Sequence, residues 1–292
     1  MIVITGATGQ LGHAVVLELL KLMPASNVGV SVRDPGKASD LAEQGVRVRQ
    51  GDFGDPASLQ HAFEGATQIL MVSSNARAYG SDPLAQHRSA IDAARSAGVT
   101  RIVYTSQIAA SPTSAFSPAV DHAATEEMLR QSGLAWTSLR NGFYASSGLA
   151  SMGNSLETGL PETGLLEAPA DGKVAWAAHA DLAEAAAILL ANPGRYEGPT
   201  PPLTGSQALD LADLAAIATE LGQPVRRTVF PDEELGARLE ARGMLASAAR
   251  FVLGNSIASR NGEFGPVDKA LEELIGHPPI TMRGVIAAKL GR

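Results

Sequence analysis

The chain of 292 residues contains no cysteine. That excludes a disulfide framework, a thiolate nucleophile and a cysteine-built zinc cluster. A basic tract is also missing: 23 Lys and Arg stand against 30 Asp and Glu, a net charge of −7. Nothing here is built to displace counterions from a phosphate backbone, so no nucleic-acid partner is expected. No window approaches ~18 uncharged apolar residues, so no membrane span is expected. No basic segment precedes the opening apolar stretch, which Gly6 to Gly12 interrupt, so a signal peptide is not expected either. A cytoplasmic protein is the expectation.

Two catalytic patterns are absent as well. Short-chain dehydrogenases and sugar epimerases use Tyr-x-x-x-Lys, in which the lysine lowers the tyrosine pKa for acid/base work. Here the residues four beyond Tyr79, Tyr104, Tyr144 and Tyr196 are Pro83, Ile108, Gly148 and Thr200, and no lysine stands between Lys37 and Lys173. No Gly-x-Ser-x-Gly elbow occurs, which leaves a hydrolase triad unsupported.

What is present begins at residue 1, with MIVITGATGQLGHAVVLELL. A β-branched run is followed by Gly6, Gly9 and Gly12 and then at once by helix-compatible residues. Strand, glycine turn and helix N-terminus together make an anion site, where free N–H groups and the helix dipole face a diphosphate. A glycine-rich structural turn is the alternative; the strand-to-helix context favours dinucleotide binding.

Strand-like and helical runs alternate through the first half. The pattern predicts strands at 2–5, 28–32, 46–50, 68–72, 101–105 and 135–139. Helices are predicted between them at 10–22, 36–44, 56–63, 82–97 and 118–131. The fold class is therefore α/β, a doubly wound parallel-sheet Rossmann fold of order 3-2-1-4-5-6. Residues 1–141 are expected to form the nucleotide-binding domain. Residues 142–292 are expected to form a smaller α/β substrate-side subdomain that does not fold alone. In it, 142–173 reads as loop with one short helix, and helices are predicted at 181–190, 210–221, 232–242 and 266–275.

The second strand ends in Ser31-Val32-Arg33-Asp34-Pro35, with Lys37 close behind. An arginine at this strand end favours the 2′-phosphate of NADPH, whereas an acid favours the 2′-hydroxyl of NADH. Arg33 and Lys37 can clamp the phosphate; Asp34, one residue along, would select NADH instead, and a solvated loop is the third reading. NADPH is the expected cofactor. After strand 3, Asp52 can accept the adenine amino group with Phe53 on the ring, or Asp52 can be only a turn residue.

These segments together carry a resemblance. TGATGQLG, SVRDPGKA, GDF, DHAATEEML and SLRNGFY resemble the NmrA-like atypical short-chain dehydrogenases. Within them the chain is most similar to the bacterial NADPH-dependent quinone oxidoreductase branch that includes triphenylmethane reductase. The likeness runs through essentially the whole chain, to Ile275-Gly276-His277-Pro278. It implies that Gly6, Thr8, Gly9, Gln10, Leu11 and Gly12 meet the phosphates, Arg33 and Lys37 the 2′-phosphate, and Asp52 and Phe53 the adenine. It places Ser73, Ser74 and Asn75 beside the ribose and nicotinamide, and Tyr104, Thr105 and Ser106 under the ring. Asn141, Gly142, Phe143 and Tyr144 would border the substrate. Related isoflavone and pinoresinol reductases carry a lysine on the helix before strand 6, and His122 takes that place here. A histidine there is a weak acid, a hydrogen-bond donor or a surface residue.

A missing acid suits a quinone. A reduced ketone needs a proton in the transition state, whereas a hydroquinone anion is stable enough to take one from water, so proximity and orientation suffice. The expected activity is hydride transfer from NADPH to a quinone or similar conjugated small molecule. The alternative is a non-catalytic NADP(H)-binding redox sensor. Oligomeric state is left open, because apolar helix faces do not distinguish core from interface.

Overall fold

Runs such as Ile2-Val3-Ile4 have no polar alternation, the signature of a strand covered on both faces. In the computed structural model, which describes residues 1–156, 164–241, 243 and 246–292, such runs form the centre of a parallel sheet. Its strands are β1 (Ile2–Thr5), β2 (Val28–Val32), β3 (Arg47–Gln50), β4 (Gln68–Met71), β5 (Arg101–Gln107) and β6 (Ala135–Asn141). They lie in the order β6-β5-β4-β1-β2-β3, the doubly wound order expected. A seventh strand, Gly198–Pro199, pairs parallel with β6 at Thr137 and Ser138, and was not anticipated.

Between the strands run α1 (Gln10–Leu22), α2 (Ser39–Glu43), α3 (Pro56–Phe63), α4 (Pro83–Ser96) and α5 (Ser117–Gln131). The helix expected at 36–44 is divided, with a 3-10 turn over Pro35–Ala38 ahead of α2. One device recurs. The loops after β2, β3 and β4 each end in an Asp-Pro pair: Asp34, Asp55 and Asp82 accept backbone N–H groups of the turn or helix they start, with proline at its first positions. Proline pre-sets φ there and aspartate satisfies orphan donors, so three consecutive loops have fixed ends.

The chain divides into two compact units. The first holds Met1–Pro112, Asp121–Asn141 and His179–Pro201; the second holds Thr113–Val120, Gly142–Ala178 and Pro202–Arg292. One segment of the first unit ends at Asn141, and the chain returns to that unit at His179. The reason is packing: helix His179–Ala191 lies against α1, and the buried Gln68 Nε2 donates to the Leu190 carbonyl at 2.8 Å. The core of the first unit includes Val3, Leu59, Phe63, Ile69, Ile102, Tyr104 and Leu129.

The second unit is more regular than its loop-rich sequence suggested. Phe143–Tyr144, Val174–Ala177 and Ala208–Leu209 form one small sheet, and Gly164–Ala168 pairs parallel with Val225–Val229. Helices Ala246–Arg260 and Met282–Lys289 were not anticipated, and the one expected at 266–275 covers only Ala270–Ile275. Residues 157–163 of the expected loop, and Arg242 at the end of another expected helix, lie outside the described residues.

Candidate functional site

The three glycines after β1 do three different jobs. Gly6 has φ +63, a conformation that side chains rarely adopt. A Cβ on Gly12 would stand 2.4 Å from the Gly6 carbonyl oxygen, so Gly12 lets α1 pack against the turn. Gly9 has an ordinary φ of −94, and the protein atom closest to a Cβ there is the Gly6 oxygen at 3.3 Å. Gly9 lines a cleft, so its missing side chain leaves room for whatever enters. No side chain caps α1, and its first N–H groups and positive dipole end remain available to an anion. Gln10 is exposed and Leu11 is buried in the core; neither side chain lines the cleft.

The cleft has a volume of about 510 Å³ and lies at the carboxyl ends of β1 to β4. It brings together Gly6, Thr8, Gly9, Arg33, Asp52, Phe53, Ser73, Ser74 and Asn75 of the expected residues. Arg33 is exposed and makes no hydrogen bond or ion pair among the described residues. Asp34 is engaged: its Oδ1 accepts the Gly36 N–H at 3.0 Å as cap of the 3-10 turn. Lys37 sits exposed on that turn and outside the cleft lining. Asp52 serves the turn and the cleft together, since its Oδ1 accepts the Gly54 N–H at 2.8 Å while the residue lines the cavity. Ser31, which the sequence did not single out, also lines the cleft, with a buried hydroxyl oxygen that has no partner among the described residues. Tyr79, Ser81 and Gln86 complete the wall beyond β4.

The segment after β4 is held by side chains from three directions. Thr5 Oγ1 accepts the Val72 N–H at 2.9 Å, Thr105 Oγ1 the Ser73 N–H at 2.8 Å, and His87 Nε2 the Ser74 N–H at 2.9 Å. His87 in turn meets Thr125 Oγ1 through Nδ1 at 2.8 Å. Burial pushes His87 down to about 4, and a neighbouring His122 charge adds to the effect.

Tyr104, Thr105 and Ser106 are thus placed as supports behind the cleft rather than among its lining residues. Thr105 pins Ser73. The buried Tyr104 hydroxyl is 2.7 Å from His122 Nδ1. Ser106 Oγ donates to Glu126 at 2.8 Å, and that carboxylate also receives Ser138 Oγ at 2.7 Å and the Arg140 guanidinium at 2.7 Å. His122 is half-buried, and burial lowers its pKa to about 4, so its ring is neutral at physiological pH. Asn141 ends β6 buried, with an amide oxygen that lacks a partner among the described residues.

Phe143 and Tyr144 belong to the second unit, where both are half-buried. Phe143 packs among Phe264 at 4.4 Å, Phe116 at 5.7 Å and Trp176 at 6.1 Å between ring centroids.

The NmrA-like family model matches residues 1–273. This chain belongs to the NmrA-like family. Quinone oxidoreductase 2 of Escherichia coli (strain K12) is 40% identical over 283 residues, 97% of this NmrA-like chain and 96% of that protein. The crystal structure of the Escherichia coli NADPH-dependent quinone oxidoreductase complexed with NADPH matches with a TM-score of 0.88, at 38% identity and 99% coverage of each chain. Citrobacter sp. triphenylmethane reductase complexed with NADP(H) gives a TM-score of 0.86 at 34% identity, covering 99% of this chain and 100% of that one. The family and the doubly wound fold expected from the motifs are both found.

Proposed function

We propose that this chain is an NADPH-dependent reductase that passes a hydride to a quinone or a similarly conjugated small molecule. One observation carries the cofactor assignment: a cleft built on a glycine turn has an unpaired arginine at the end of β2, while the adjacent aspartate is tied into a cap. The residues fit a dinucleotide. Gly9 leaves open the space a Cβ would take, and the buried Ser31 hydroxyl oxygen lacks a partner among the described residues.

Bound NADPH supplies a hydride, which is two electrons and a proton in one transfer. The chain's own residues bind and orient. The α1 N-terminus faces the diphosphate, Arg33 pairs with the 2′-phosphate, and Asp52 and Phe53 take the adenine. Ser73 and Ser74 have their N–H groups committed to Thr105 and His87, so the segment leading to Asn75 presents a fixed surface. His122, neutral and hydrogen-bonded to Tyr104, acts as a donor rather than as an imidazolium acid. A hydroquinone anion takes its proton from water, which agrees with the lack of a Tyr-x-x-x-Lys pair. The similarity to quinone oxidoreductase 2 supports the acceptor class.

The test is turnover. Protein, NADPH and a benzoquinone or naphthoquinone are mixed, and the reduced nicotinamide absorbance is followed against a protein-free blank. Saturable oxidation is expected, faster with NADPH than with NADH and near the blank with simple aliphatic ketones. Tight NADPH binding without turnover on any quinone or dye would favour the redox sensor instead.

A further inference from the structure

The cleft lining contains residues from the ends of β1, β2, β3 and β4 and from the segment following β4, but none from β5 or β6. In a doubly wound sheet the diphosphate sits over the central β1 turn, and the half holding β2 and β3 takes the adenosine. The cleft therefore includes the adenosine half of the site, with the ends of β2 and β3 on one side and the segment after β4 on the other. Tyr79 stands on its wall and is 76% exposed, the highest exposure among the large hydrophobic side chains described.

A single exposed ring is ordinary on a protein surface. The backbone beneath this one is not ordinary. Ala76 N–H donates to Ser74 Oγ at 3.0 Å, Ser81 N–H to the Ala76 carbonyl at 3.0 Å, and Gly80, at φ +74, closes the turn. Arg77 makes a two-pronged pair with Asp121, at 2.7 and 2.6 Å, which ties the segment to α5. Asp82 then caps α4. A short turn anchored on both sides of one solvated aromatic residue holds the base of that ring in place before any ligand arrives. The same pairing with Asp121 neutralises Arg77, so the segment offers a ligand a π-face rather than charge.

We infer that Tyr79 is a stacking platform for the adenine ring, a role that rests on the dinucleotide reading of the cleft. Stacking on an aromatic side chain needs only a base with a π-face and no sequence of polar contacts. Phe53, in edge contact with His87 of α4 at 6.5 Å, lines the same cavity after β3, so the adenine half has two aromatic residues. Tyr79 and Arg33 then divide the work. Tyr79 acts on adenine, which NADPH and NADH share, whereas Arg33 acts on the phosphate that only NADPH carries.

The division gives the test, read by binding rather than by turnover. In Tyr79→Ala, the Kd values for NADPH, NADH and adenosine 2′,5′-bisphosphate should all rise by about tenfold. Nicotinamide mononucleotide should bind as it does to the native chain, and the loss should be the same at low and high salt, since no charge is removed. Tyr79→Phe should stay within about twofold of native, and circular dichroism confirms that both variants fold. Native bisphosphate affinity in Tyr79→Ala, or a loss confined to nicotinamide mononucleotide, would overturn the stacking role and leave the cofactor reading standing. A native chain that binds neither NADPH nor the bisphosphate overturns both.

Discussion

The His87 ring accepts the Ser74 N–H on Nε2 at 2.9 Å and reaches the Thr125 hydroxyl through Nδ1 at 2.8 Å. Because Nε2 is an acceptor, the proton resides on Nδ1, and adding a second proton would break the bond that shapes the loop after β4. Burial, with the His122 charge as a second cause, lowers the His87 pKa to about 4, against ~6.5 for an unfolded histidine.

Acid stability follows with a definite sign. Between pH ~6.5 and ~4 the unfolded chain binds the His87 proton and the folded chain does not, so stability is lost as pH falls through that window and levels off below it. The full effect is about 3 kcal/mol for His87. The urea midpoint should drop across this range, and His87→Asn, which keeps an acceptor but does not titrate, should drop less. Identical slopes in the two proteins would show that the ring is not the proton-linked group.

Cofactor choice should follow Arg33 and not Asp34. Arg33→Ala is expected to weaken NADPH by about 1.5–3 kcal/mol and leave NADH nearly unchanged, as for the loss of a charge-assisted bond. Asp34→Ala should remove a cap worth about 1 kcal/mol without changing the preference. Titration of both variants with both nucleotides decides the matter; a gain for NADPH on removing Asp34 would contradict it.

The glycines separate folding from binding. Gly12→Ala drives a methyl into the Gly6 carbonyl and should cost about 1–3 kcal/mol, seen as a lower Tm. Gly9→Val keeps an ordinary backbone angle and should stay folded while losing NADPH. A Gly9→Val protein that binds normally would remove the basis for the phosphate site.

His122 should not impose a pH profile near neutrality. Its pKa, lowered to about 4 by burial, keeps the ring neutral from about pH 5.5 to 8. Quinone reduction should therefore be flat over that range, with His122→Ala slower by about tenfold or less. A rate falling as pH rises through 6.5, abolished in His122→Ala, would identify an imidazolium acid instead.

Much of the first unit was legible because its signals are local. The boundaries of β1 and α1 follow from a β-branched run, three glycines and a helix-compatible stretch. Arg33 and Phe53, singled out by their position at strand ends, both line the cleft. Three things escaped. The strand Gly198–Pro199 is two residues long and leaves no periodicity. Tyr104 was placed near the right strand end, but which neighbour its ring meets depends on α4 and α5, which no strand pattern specifies. Tyr79 lies in a turn between elements, where exposure and anchoring become visible only with coordinates. One signal was present and overlooked: the repeated Asp-Pro pairs at 34, 55 and 82 mark Asp34 as the cap of a turn.

The return of the chain at His179 has a bearing on biosynthesis. A ribosome that has reached Asn141 has made β1 through β6 and the glycine turn, yet not the helix His179–Ala191 that packs against α1. Domains tend to fold as units while they emerge. Here the last segment of the first unit, His179–Pro201, is made only after residues 142–178 of the second. The cleft lining, Thr5 to Gln86, is thus synthesised well before the helix that packs against α1, and the two parts of one unit leave the ribosome far apart in time.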